Sequence, residues 1–187
     1  MLNAGVIGAG HLGKIHLKLL NQSDKYNLVG FYDSNHEAAK NISEEFGYRS
    51  YKTMESLIED CDMVDVVTPT LYHSDCAKKV LNAGKHLFIE KPITKTVQEA
   101  EEIRELAKKN GVRGQVGHVE RFNPAFTAVN DQIVNPMFIE AHRLAEFNPR
   151  GTDVSVVLDL MIHDIDAILS VVNSKVKTVN AIIIIYL

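Results

Sequence analysis

Six residues near the start of the chain, Gly8-Ala9-Gly10-His11-Leu12-Gly13, have the spacing G-x-G-x-x-G. In such a loop Gly8 allows a tight turn, Gly10 lets the main chain approach a pyrophosphate, and Gly13 lets helix and sheet pack closely. A helix opening at Leu12, directly after His11, adds unpaired N–H groups and a positive dipole end. Asp33 follows about 20 residues later, where a carboxylate accepts hydrogen bonds from both ribose hydroxyls and repels a 2′-phosphate. The set predicts a dinucleotide site that favours NAD over NADP. A plain glycine turn with an incidental aspartate is the alternative.

Glu90-Lys91-Pro92 ends a short apolar stretch, at the carboxyl edge where open α/β sheets bind ligands. Pro92 restricts the main chain of Lys91, and an ammonium there favours a developing alkoxide as hydride leaves. An ordinary surface lysine fits the same spacing. Glu90 and Lys91 then lie beside the cofactor, as do Thr68-Pro69-Thr70 and His73, which could touch its ribose and nicotinamide or form a plain loop. His118, after the last strand of the series, is a further candidate there.

Asp159 and His163 stand four apart and so share a helix face, with Asp166 nearby. A carboxylate beside a histidine raises its pKa and orients its ring, which suits a general base. Val156, Val157, Leu160, Ile165 and Ile168 predict that this helix is largely buried. A structural hydrogen-bonded pair is the competing reading. A metal is not expected, because His163 and two carboxylates lack a further convincing ligand.

Alternating strand-length and helical-period segments position these groups. Strands are predicted at 2–7, 28–32, 63–67, 86–89 and 112–116. Helices are predicted at 12–20 (inner face Leu12, Ile15, His16 and Leu19), 37–46, 74–82 and 97–109. The alternation requires right-handed crossovers and a parallel, helix-covered sheet, a doubly wound Rossmann-type α/β domain over 1–120. An incomplete α+β region follows over 121–187. It has a helix at 122–133 entered through Pro124, a strand at 137–145, a loop at 148–153, a helix at 156–172, and an apolar strand at Ile182–Ile185.

The 187 residues carry 20 basic and 24 acidic side chains, a net charge of −4, with 45% hydrophobic and 24% charged residues. This is the balance of a packed globular protein, and it excludes disorder, collagen and a disulfide scaffold. It also provides no broad basic field for nucleic acid. Cys61 and Cys76 read as free thiols in a reducing compartment. The N-terminus enters a strand without a signal-peptide pattern, and no apolar run approaches the roughly 20 residues of a membrane helix. A cytoplasmic protein without membrane or nucleic-acid partners is expected.

Taken together, the glycine loop, the Glu-Lys-Pro segment and the Asp-x-x-x-His helix resemble the Gfo/Idh/MocA oxidoreductases. Residues 116–124 (VGHVERFNP) and 157–166 (VLDLMIHDID) look like the branch that oxidises the 3-hydroxyl of UDP-N-acetylglucosamine. The resemblance implies NAD-dependent oxidation of a small nucleotide sugar by a homo-oligomer, giving a 3-keto sugar that an aminotransferase can use in lipid A synthesis. It implies Lys91, Asp159 and His163 as the catalytic set, with His163 as the base, Asp159 orienting it, and Lys91 stabilising the alkoxide. Arg121, Asn123 and Arg143 are candidates for substrate contacts or for structural roles. The chain is shorter than is usual for the family. The runner-up is therefore a fragment that keeps NAD binding without a complete substrate site, and a NAD-sensing partner subunit is a third option.

Overall fold

The computed structural model describes residues 1–144 and 154–182. Five strands, β1 (Leu2–Ile7), β2 (Tyr26–Tyr32), β3 (Met63–Val66), β4 (His86–Glu90) and β5 (Gly114–Gly117), form one parallel sheet in the order β2-β1-β3-β4-β5. The chain order reverses between β1 and β3. The carboxyl ends of these two strands therefore flank the crevice where such sheets bind ligands.

Helices cover both faces. Val6 and Phe31 meet Leu17 of α1 (His11–Gln22) and Ala39 and Ile42 of α2 (His36–Phe46) on one side. On the other, Ile7, Val64 and Ile89 pack with α3 (Met54–Asp60), α4 (His73–Asn82) and α5 (Val97–Lys109) through Leu57, Val80, Leu81 and Ile103. Adjacent Val6 and Ile7 point to opposite layers, as a strand buried on both faces requires. Burial of each such aliphatic side chain contributes about 1.5–3 kcal/mol. Local signals set the helix ends. Asn35 caps α2, Gly47 terminates it at φ 74°, and Thr96 and Glu99 form a reciprocal capping box on α5.

Several expectations need correction. The inner face of α1 is Gly13 and Leu17, while Leu12, Ile15 and Leu19 are exposed. Gly13 must pack under the Gly8 carbonyl, and this sets the helix's rotation. The short helix α3 was not anticipated, although Thr53 caps it by accepting from the Ser56 N–H. Helix 122–133 is instead a 3₁₀ turn (Val119–Phe122), α6 (Pro124–Val129) and a second 3₁₀ turn (Asn130–Gln132), with Pro at the first turn as expected. Residues 137–144 form no strand, because no neighbouring strand among the described residues offers them a ladder. Met137 and Phe138 are exposed there.

The long helix begins as a π-turn (Val157–Met161) and continues as α7 (Ile162–Val171). None of its residues is fully buried, since it packs on only part of its circumference. The expected loop at 148–153, Ala145 of the expected strand, and Ile183–Ile185 lie outside the described residues.

Candidate active site

The glycine loop runs from β1 into α1. Gly8 adopts φ 94°, and a Cβ there would sit 2.9 Å from the Val67 main chain. A Cβ on Gly13 would strike the Gly8 carbonyl, whereas one on Gly10 would meet nothing within 4 Å. The loop is thus closed on the protein side and open where a phosphate would approach. No side chain caps α1, so the first-turn N–H groups of His11, Leu12 and Gly13 face outward as donors.

Asp33, at the end of β2, accepts the Ala9 N–H through Oδ2 and the Asn35 N–H through Oδ1, both at 2.8 Å. These bonds fix the carboxylate beside the loop while each oxygen keeps a lone pair. Gly8, Gly10, Asp33, Thr68 and Pro69 line a cavity of about 380 Å³. A dinucleotide fits this donor and acceptor set. A larger cavity of about 510 Å³ lies between α1 and α2. It is mainly apolar and away from the β1/β3 crevice, so the smaller cavity is the better cofactor site.

Across the carboxyl edge, the half-buried Lys91 Nζ donates to the Asp159 main-chain carbonyl at 2.8 Å and to its carboxylate at 3.1 Å. The Lys91–Pro92 peptide is cis. Asp159 therefore serves Lys91, and the expected Asp159–His163 hydrogen bond is absent. The cation is the stronger partner for the carboxylate. His163 Nδ1 is buried without a partner. Its pKa is lowered, not raised as expected, by burial first and then by the charges of Lys91 and Arg143. The ring is consequently held neutral and able to accept a proton.

Other candidates have more structural roles than their positions in sequence suggested. The His73 ring is 1% exposed, with Nδ1 2.9 Å from the Pro92 carbonyl and Nε2 2.8 Å from that of Thr68. It joins two loops of the edge and does not reach out to a cofactor. Asn123 caps α6 by accepting the Ala125 N–H at 3.0 Å and donates to Glu120. Arg121 grips Asp166 with two bonds of 2.6 and 2.7 Å, and Arg143 grips Asp164 with bonds of 2.7 and 2.8 Å. Both arginines thus anchor α7. His118 Nδ1 stands 3.8 Å from Asp166, in the same cluster as Arg121. Glu90 is half-buried at the end of β4 and accepts the Lys91 N–H at 3.2 Å.

Among the described residues no group of three or more His, Cys, Asp or Glu could hold a metal, and no helix is long and apolar enough to cross a membrane. Cys61 and Cys76 are buried free thiols. Sequence reasoning passed over His16 and Asp65, which pair at 2.7 Å beneath this edge. Asp65, a charge inside an otherwise apolar strand, was the available signal.

Residues 2–118 match the model of the Gfo/Idh/MocA oxidoreductase family with its NAD-binding Rossmann fold. UDP-N-acetylglucosamine 3-dehydrogenase of Acidithiobacillus ferrooxidans is 35% identical over 97% of this chain and 58% of its own length. Its solved structure superposes with a TM-score of 0.85 at 36% identity, covering 91% of this chain and 56% of that one. The scyllo-inositol 2-dehydrogenase (NAD(+)) of Bacillus subtilis is 28% identical over 96% of this chain and 56% of its own length. The chain thus spans somewhat more than half the length of these relatives. With the glycine loop, its acid and the matched sheet in place, the chain belongs to the Gfo/Idh/MocA oxidoreductase family and carries its NAD-binding Rossmann fold.

Proposed function

We propose that the chain is a NAD-dependent sugar or nucleotide-sugar dehydrogenase, acting on the 3-hydroxyl of UDP-N-acetylglucosamine. The observation that carries this reading is the pairing of Lys91 with Asp159 on the same sheet edge as a neutral His163 and the glycine loop. Bound NAD supplies the hydride acceptor. His163 takes the hydroxyl proton. Lys91 donates a hydrogen bond to the oxygen as negative charge develops, which lowers the barrier most when the donor is already oriented. Asp159 keeps the ammonium in place from two directions. His118 borders the same space. Arg121 and Arg143, already gripping α7, present their remaining N–H groups to an anionic substrate.

The 35% identity to the UDP-N-acetylglucosamine enzyme supports that substrate over the inositols oxidised by more distant relatives. The product is a 3-keto sugar, which an aminotransferase can use on the way to amide-linked lipid A. The exposed Met137 and Phe138 support a homo-oligomer, whose mass sedimentation would report. We assign residues 1–120 to the cofactor domain and the remainder to the substrate region.

Formation of NADH on mixing the chain with NAD and UDP-N-acetylglucosamine tests the assignment. No NADH with this or other nucleotide sugars would overturn it. A second reading rests on the chain's 58% coverage of its relative. In that reading the chain is a NAD-binding portion of such an enzyme, and NAD titrates normally without turnover.

A further inference from the structure

Beneath the catalytic edge lies a group of charges that the reaction does not use directly. Asp65 is 4% exposed in the middle of the sheet, and its Oδ2 is 2.7 Å from His16 Nδ1. The other face of the His16 ring turns to Glu90, with Nε2 3.5 Å from Oε1. Glu90 Oε2 accepts the Lys91 main-chain N–H at 3.2 Å. Asp65 on β3, His16 on α1 and Glu90 on β4 thus form a chain that ends at the catalytic lysine's own main chain.

The neighbouring strand makes room for this arrangement. Gly117 of β5 stands opposite Glu90, and a Cβ there would lie 2.6 Å from Oε1. A buried Asp65 and a half-buried Glu90, both carboxyls pushed up by burial, are a costly pair to ionise around one imidazole unless a positive charge sits between them. A neutral imidazole that donates its one ring proton to Asp65 offers Glu90 no N–H. An imidazolium hydrogen-bonds Asp65 and presents a second N–H and a positive charge to the Glu90 carboxylate 3.5 Å away.

We propose that His16 is a positioning residue for Lys91: as an imidazolium between Asp65 and Glu90, it fixes the carboxylate that holds the Lys91 N–H. The claim rests on the reading of Lys91 as the catalytic lysine. The charged groups facing Glu90 are His16 from α1, Asp65 from β3 and the adjacent Lys91, while β5 presents Gly117. Burial, which opposes charge on His16, is outweighed by the Asp65 hydrogen bond and by the charges of Asp65 and Glu90, so the ring's pKa is raised. Because α1 opens at the glycine loop, the helix that faces the pyrophosphate also carries the support of Lys91.

Imidazole nitrogen spectra of the NAD-free chain test the charge. The His16 ring should carry both protons at pH 7, and a neutral ring would overturn the proposal even if a variant failed to fold. His16→Gln keeps a donor and removes the charge. Acylation of the Lys91 amine, read peptide by peptide by mass spectrometry, should then run severalfold faster, with Lys78 as the internal reference. Adding Glu90→Gln should restore slow labelling, because an amide oxygen accepts the Lys91 N–H without a neighbouring cation. Circular dichroism and thermal unfolding midpoints, unchanged from the parent chain, report that each variant is folded. Unchanged labelling in folded His16→Gln, or no rescue by Glu90→Gln, would overturn the proposal. These readouts need no turnover, so a chain that passes them yet makes no NADH refutes the dehydrogenase assignment while supporting the role of His16.

Discussion

The ammonium of Lys91 and the carboxylate of Asp159, 68 residues apart in sequence, meet at 3.1 Å, with the Asp159 main-chain carbonyl holding the same nitrogen at 2.8 Å. The contact joins the cofactor sheet to the π-turn at the start of the long helix. It also distinguishes the two side chains in their expected effects. Lys91→Met should lower turnover by about 10²–10³-fold, the usual loss for one oriented donor at a developing oxyanion. Asp159→Asn should cost less, because the main-chain carbonyl stays in place. Initial rates beside NAD titrations check this, and equal losses in the two variants would contradict it.

His163→Asn should reduce turnover by about 10²–10⁴-fold, the range for removing a general base. The pKa of His163 is lowered by burial and by Lys91 and Arg143. The neutral, proton-accepting form therefore exists above that lowered value, and activity should fall only as pH drops through it, below the ordinary histidine value of about 6.5. Removing the Lys91 charge should move this acid limb upward. A rate–pH profile of Lys91→Met, followed at high enzyme concentration, makes the comparison.

Asp33 should decide between the two nicotinamide cofactors. Asp33→Ala removes the acceptor for the ribose hydroxyls and the repulsion of a 2′-phosphate. NAD affinity should drop by about tenfold while NADP affinity rises, as calorimetric titration with each cofactor would show. No change in the NAD-to-NADP ratio would place the ribose elsewhere.

Gly13→Ala should damage both folding and cofactor binding, because its Cβ would be driven into the Gly8 carbonyl. The overpacking should cost about 1–3 kcal/mol in denaturant unfolding. Gly10→Ala makes a useful contrast. Its Cβ meets no protein atom, so stability should hold while NAD binding weakens.

The contact between α7 and the 3₁₀ turn at Val119–Phe122 should loosen in acid. The Asp166 pKa is lowered by its hydrogen bond with Arg121, helped by the charges of His118, Arg121 and His163. A carboxyl depressed in the folded state contributes stability above its unfolded value of about 3.9, and this is lost as pH falls through the folded value. Protection of the Ile162–Val171 amides against hydrogen exchange, taken relative to the slower intrinsic exchange in acid, should therefore fall at acidic pH. Asp166→Asn should show the lower protection already at neutral pH.

How much of this was legible in the sequence depends on how far apart the cooperating residues lie. The glycine loop, Asp33 and the helix Val97–Lys109 follow from local spacing, turns and caps, and their positions emerged as expected. The partner of Asp159 did not, because a four-residue helical spacing says nothing about a lysine arriving from another strand. His73 shows the same limit. A histidine after a strand end reads as a ligand-facing side chain until the fold closes two carbonyls onto its ring. The Asp65–His16–Glu90 chain draws on three elements and has no sequence spacing of its own. The strand expected at 137–145 is not formed over 137–144, because a strand exists only with a ladder beside it.

The two forked arginine contacts on the long helix also have a mechanical consequence. Asp164 and Asp166 are two residues apart, so at 3.6 residues per turn they leave the axis about 200° from one another. Arg143 holds one and Arg121 the other, from segments separated by more than a turn of chain. Two such grips on nearly opposite sides resist torsion: the helix cannot roll about its axis without breaking one of them. His163 lies beside this lock, so its azimuth toward the sheet edge is set by a pair of opposed clamps, even though no residue of the helix is fully buried.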